Sequence, residues 1–165
     1  MKTLVLGLGN PILTDDGVGV LVAEAIRASL PLDVPIDIAE VSVGGLTLME
    51  SMIGYDRVIL IDALQHGDVK PGTIHRLTLE DLKTINPTQH SASPHDASLI
   101  TALEAGQRMG LPLPQEITIY AIEVENITDF NDQPTPAVAA SIPKVTAMVL
   151  GEIRDLFSPP DLKYV

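Results

Sequence analysis

The chain has 165 residues, and 22 acidic side chains against 10 Lys and Arg give it a formal net charge of −12. That balance argues against partners gripped by neutralising phosphates, nucleic acid and anionic membrane surfaces among them. With 45% apolar and 19% charged residues it is a globular chain able to bury a core, and the absence of cysteine excludes disulfides, thiolate nucleophiles, iron–sulfur clusters and zinc-finger sites.

Thr3–Leu8 is a short continuous apolar run and reads as a first strand buried on both faces. A signal-peptide core is the weaker reading, because Asp15-Asp16 follow closely and no small-x-small cleavage site is present. After a loop over Asn10–Asp15, apolar residues at Val18, Leu21, Val22, Ala25 and Ile26 recur at helical spacing, with Asp15 or Asp16 at the start. Val34–Val41 predicts a second strand, Gly44–Ile53 a short helix, and Arg57–Ile61 a third buried strand closed by Asp62. This alternation predicts a parallel sheet with helices on both faces. The connection from Asp62 to Gly72–Leu77 is too short for a crossover helix, so the fourth strand is expected antiparallel, at an edge.

A polar stretch over Asn86–Ser93 leads to a helix with Ser93 as N-cap, Pro94 at its first position and Asp96 in its first turn, burying Leu99, Ile100, Leu103 and Gln107. Glu116–Val124 is the fifth strand. Pro136–Phe157 is the last helix, with Val138, Ile142, Val145, Val149 and Ile153 inward and Pro143 as an expected kink. No run approaches the roughly 18 uninterrupted apolar residues of a membrane span. The expectation is one domain over residues 1–165, with 158–165 as a C-terminal tail. It is a three-layer α/β/α architecture on a mostly parallel, twisted five-stranded sheet with one antiparallel edge strand.

In such sheets the functional crevice lies beyond the carboxyl ends of the parallel strands. The predicted elements deliver three ionisable residues there: Asp16 after strand one, Asp62 at the end of strand three, and His95 in the first turn of the following helix. Two carboxylates and an imidazole suit zinc or another divalent first-row metal with open positions. Set against this, Asp15 and Asp16 could simply cap a helix, the preferred reading for Asp15, and Asp62 could be a turn residue. His90, five residues before His95, is its rival; His66 and His75 read as loop and edge-strand residues, and Glu123 has no assigned role. Gly7-Leu8-Gly9-Asn10-Pro11-Ile12 starts like a dinucleotide fingerprint, but Ile12 replaces the third glycine. There is no Walker A sequence, His-Glu-x-x-His or Gly-x-Ser-x-Gly, which leaves carboxylate- or metal-assisted chemistry.

Leu4–Gly19, with its Gly7-Leu8-Gly9-Asn10-Pro11 and Asp15-Asp16-Gly17-Val18-Gly19, resembles the opening of the hydrogenase maturation proteases. Val58–Ala63 resembles their third strand with its terminal Asp, Ser93-Pro94-His95 their histidine loop, and Ile122-Glu123 with Pro134–Val138 their closing segment. The resemblance implies a phosphorylase/hydrolase-like catalytic domain that removes a C-terminal extension from a nickel-iron hydrogenase large-subunit precursor after nickel insertion. It also implies an aspartic-type enzyme; a cytoplasmic location is expected from the lack of a signal-peptide cleavage site and of a membrane span. Asp16, Asp62 and His95 take the metal-contacting positions, and the same residues are the expected catalytic set. Nickel would be carried by the substrate, with another divalent metal as an alternative. Val43-Gly44-Gly45 departs from the Asp-Gly-Gly of many members, so no role of that Asp carries over. The expected partner is the precursor, engaged by a monomer without nucleic acid or membrane. Alternatives are a peptidyl-tRNA hydrolase-like esterase, which shares the Gly-Leu-Gly-Asn-Pro start, a non-cleaving nickel-sensing chaperone of the precursor, and a small-molecule hydrolase on the same scaffold.

Overall fold

The computed structural model describes residues 1–66, 68–84 and 94–158, the side chains of 94–98 excepted. In chain order the elements are β1 (Thr3–Leu8), a 3-10 turn (Thr14–Gly17), α1 (Val18–Ser29), β2 (Ile36–Val41), α2 (Gly45–Ser51), β3 (Arg57–Leu64) and β4 (Ile74–Thr78). They continue with α3 (Leu79–Thr84), α4 (Pro94–Arg108), β5 (Glu116–Glu123) and α5 (Pro136–Phe157). The strands form one sheet in the order β2-β1-β3-β5-β4. β1 pairs in parallel with β2 and β3, and β3 with β5, while β4 runs antiparallel to β5 at the edge. Nine residues separate Leu64 from Ile74, enough for a turn and too few for a crossover helix, which is why the fourth strand reverses.

Alternation along the central strands divides the core in two. Leu4, Leu6, Leu8, Leu60 and Leu64 pack with Leu48, Met49, Leu99 and Leu103 of α2 and α4. Val5, Ile59, Ile61 and Ile122 pack with Val18, Val22 and Ile26 of α1 and Val138, Val145 and Val149 of α5 on the other face. α5 is long and apolar enough to cross a membrane by length and composition, but its apolar stripe of Val138, Val145, Val149 and Ile153 is buried in this second layer.

Four details depart from the sequence reading. β3 continues two residues past Asp62, so that carboxylate is part of the strand. Gln107 is exposed on α4, and Ala102 and Gly106 line the buried face instead. The first helix begins only at Val18, after a separate turn that carries both aspartates. α3 was not predicted at all. It is opened by a reciprocal cap in which the Asp81 N–H donates to Thr78 Oγ1 at 3.2 Å and the Thr78 N–H donates to Asp81 Oδ2 at 2.7 Å. The bonds that the Thr78 N–H and then the Thr78 hydroxyl donate to it hold the Asp81 carboxyl below its ordinary range.

Candidate functional site

Asp16 owes its position to the turn between β1 and α1. Gly9 follows β1 at φ +143°, a conformation favouring glycine, and a Cβ there would overlap the Asp16 carbonyl. A Cβ on Gly19 would overlap the carbonyls of Leu8 and Ile61, so the first turn of α1 is pressed directly onto the ends of β1 and β3. A Cβ on Gly7 would in turn overlap the Gly19 carbonyl, so Gly7 and Gly9, the pair that resembles a dinucleotide motif, serve close packing. They seat Asp16, 9% exposed, with its Oδ2 accepting the Asn10 N–H at 2.8 Å.

Asp62 lies on the neighbouring strand. Gly7 pairs with Ile61, so Asp62 is level with the end of β1, 3% exposed, its Oδ1 accepting the Ala63 N–H at 2.7 Å. The topology reverses between β1 and β3, with β2 on one side and β5 on the other, and this is where the crevice of an open α/β sheet opens. Both carboxylates therefore stand at the switch point, as the sequence predicts. His95 is the second residue of α4. The far end of that helix leads to Pro112, whose carbonyl accepts the Gly54 N–H, and to Gln115, bonded to Asp56 before β3. α4 therefore starts at the carboxyl edge, and its backbone brings position 95 to the same rim. The His95 side chain, His90 and Ser93 lie outside the described residues. Among the described residues no group of three or more His, Cys, Asp or Glu is assembled to hold a metal.

Asp15 does something the helix-cap reading misses. It is fully buried and makes no side-chain capping bond. Its Oδ1 accepts the Thr135 N–H at 2.7 Å, and its Oδ2 the Glu125 and Asn126 N–H groups at 3.1 and 3.0 Å. The Thr135 hydroxyl donates to the same carboxylate. Thr14, at φ 42°, is held in the same seam by its N–H to the Asn131 carbonyl and its hydroxyl to the Asp129 carbonyl. Asp15 thus locks the segment after β5 against the turn that carries Asp16.

The remaining chemistry at this edge is a buried Glu123 at the end of β5, bonded to both His66 and His75. Sequence reasoning left Glu123 unassigned and placed the histidines in a loop and an edge strand. Both placements hold, but their meeting on one carboxylate depends on the antiparallel register of β4, which pairs Ile74 with Ile122.

The hydrogenase maturation protease family model matches residues 20–152. The chain belongs to this family. The hydrogenase 2 maturation protease of Escherichia coli K12 is 30% identical over 94% of this chain and 92% of its own. A hydrogenase expression/formation protein HupD of Rhizobium leguminosarum is 28% identical over 93% of this chain and 74% of its own. The hydrogenase maturating endopeptidase HybD from E. coli superposes with a TM-score of 0.82 at 29% identity, covering 95% of this chain and 94% of that one. The HybD maturation protease from Thermococcus kodakarensis shares the fold, with a TM-score of 0.72 at 23% identity over 93% of this chain and 99% of its own. A maturation protease is a peptide hydrolase, and the family match favours peptide cleavage over the esterase and non-cleaving chaperone alternatives.

Proposed function

We propose that this maturation protease removes the C-terminal extension of a nickel-iron hydrogenase large-subunit precursor, recognising nickel already held by that substrate through Asp16, Asp62 and His95. The observation that carries this reading is the placement of two nearly buried carboxylates at the switch point, Asp16 in the turn after β1 and Asp62 near the end of the adjacent β3, with the first turn of α4 on the same rim. Carboxylate and imidazole donors suit nickel or another divalent first-row ion. Held there, the substrate's metal would polarise the scissile carbonyl as a Lewis acid. The protein's own part is to fix the carboxylates, through Asn10 for Asp16 and through β3 for Asp62, and to hold the extension across the crevice.

The rim suits a polypeptide. Ile12 and Phe130 are exposed and joined through the Asn131 N–H to the Ile12 carbonyl, and Val43 and Leu46 are exposed where β2 leads into α2. An apolar segment laid across them would reach the switch point from either side. In this reading the enzyme would act in the cytoplasm, as a monomer on its precursor.

Mass spectrometry of the large-subunit precursor, with and without nickel, tests the proposal. Wild type is expected to release a C-terminal peptide only from nickel-loaded precursor, and Asp62→Asn to lose at least ~10²-fold in rate. Cleavage that is indifferent to nickel and to Asp62→Asn would sink it.

A further inference from the structure

Glu123 is 1% exposed, and among the described residues the hydrogen bonds to its carboxylate come from two histidines. Its Oε1 lies 3.0 Å from His66 Nδ1 and 3.0 Å from His75 Nε2, and its Oε2 accepts the His66 backbone N–H at 3.1 Å. An ionised carboxylate only accepts, so the bonded nitrogens carry the protons. Neutral His66 is thereby set as the Nδ1–H tautomer, with its lone pair on Nε2, an arrangement that orients an imidazole and makes it a better base. No described residue bonds that Nε2, and the side chain is 29% exposed.

The dyad lies beside the proposed site. Asp62 pairs with Ala121, and Leu64 with Glu123. Leu60, Leu64 and Ala121 share one core layer, so Asp62 and Glu123 project from the same sheet face as diagonal neighbours, about 7–8 Å apart between Cα atoms. Hydrolysis needs a group that removes a proton from the attacking water. If Asp16 and Asp62 are engaged by the substrate's nickel, the cation's charge makes them weaker bases, and Val43 before Gly44-Gly45 offers no acid or base.

We propose that His66 is the proton carrier of the cleavage reaction, held in register by Glu123 as a positioning residue. The inference rests on the peptidase reading above. His66 Nε2 takes a proton from water as the water oxygen bonds to the scissile carbonyl carbon. The imidazolium returns that proton to the amide nitrogen as the C–N bond breaks, leaving a new carboxyl terminus and a free amine. Among the described residues, Glu123 and His75 are the ionisable groups against the ring. Asp68, whose N–H bonds the His66 carbonyl, and Asp62 on the same sheet face are the next nearest along the chain.

The test is single-turnover cleavage of nickel-loaded precursor between pH 5 and 9 by wild type, His66→Ala, His66→Gln and Glu123→Gln, with histidine 15N spectra of each. Both His66 variants are expected to lose about 10²–10⁴-fold in rate with precursor affinity kept and the acidic limb of the pH profile gone. Added imidazole should restore part of the His66→Ala rate. Glu123→Gln should lower the maximal single-turnover rate at an unchanged half-saturating concentration, and its spectrum should show His66 as a mixture of tautomers where wild type shows one. Wild-type rates and pH dependence in folded His66→Ala would overturn the proposal while leaving the peptidase reading intact, as would a loss that imidazole does not relieve. Failure of wild type itself to cleave would defeat the underlying reading, and this inference with it.

Discussion

Two adjacent aspartates with one backbone turn between them have opposite duties. Asp15 points inward and satisfies three backbone N–H groups and a hydroxyl, whereas Asp16 points to the rim and accepts one. Removing the Asp15 carboxylate leaves part-buried donors without their acceptor, each costing toward the lower end of about 1–3 kcal/mol because water can reach them. Asp15→Ala should therefore lower unfolding stability by about 2–3 kcal/mol, read from urea midpoints at constant slope, and Asp16→Asn by far less. A sequence cannot distinguish the pair, because Asp15's partners lie 110 to 120 residues away and follow from the path of the chain after β5. Asp62 was legible for the opposite reason. A carboxylate directly after the apolar run Val58–Ile61 is costly without a purpose, and that signal is local.

At the scale of elements, apolar periodicity revealed every strand and the long helices, since each buries a continuous stripe. α3 escaped because it is only six residues long and buries only Leu82, although Thr78 and Asp81 form a cap three residues apart that could have announced it. Thr78→Ala should cost about 1 kcal/mol, visible as a small drop in melting temperature. The Asp81 carboxyl is lowered by the same bonds, so its contribution is present above the ordinary carboxylate range and fades as pH falls through its depressed value; in Thr78→Ala that acid-side decline should shrink. The overshoot of β3 past Asp62 has a similar cause. Ala63 and Leu64 continue the strand because β5 offers partners through Glu123, which no local pattern reveals. The His66–Glu123–His75 cluster was hidden likewise, its three members being joined only once β4 turns back along β5.

Across the whole molecule, one polar network fastens α5 to the sheet on the face away from α4. The Tyr120 hydroxyl donates to Glu152 at 2.7 Å, and Arg76 and Arg57 reach the same carboxylate. Burial, and then the bond to Glu152, push the Tyr120 hydroxyl up to about 12. Its neutral form is thus favoured in the folded chain, so this stabilisation is complete below pH 10 and is lost as pH rises from 10 toward 12. Absorbance titration should show a tyrosine ionising near pH 12, absent in Tyr120→Phe, whose alkaline loss of stability should also be shallower. The apolar rim makes a separate prediction: Phe130→Ser and Ile12→Ser should raise KM for the precursor several-fold with kcat unchanged, because they remove binding surface and no chemistry.

The seam closed by Asp15 also fixes when this enzyme can exist during its own synthesis. A nascent chain emerging through β4 and α4 already contains Asp16, Asp62 and position 95, yet it has neither β5 to flank β3 nor residues 125–135 to receive the Asp15 carboxylate. Until residues 125–135 leave the ribosome, the Asp15 carboxylate is answered only by water and the turn bearing Asp16 lacks its fastening. The rim is thus completed late, and ribosome-stalled chains ending near residue 115 should remain protease-sensitive where chains extended past α5 resist.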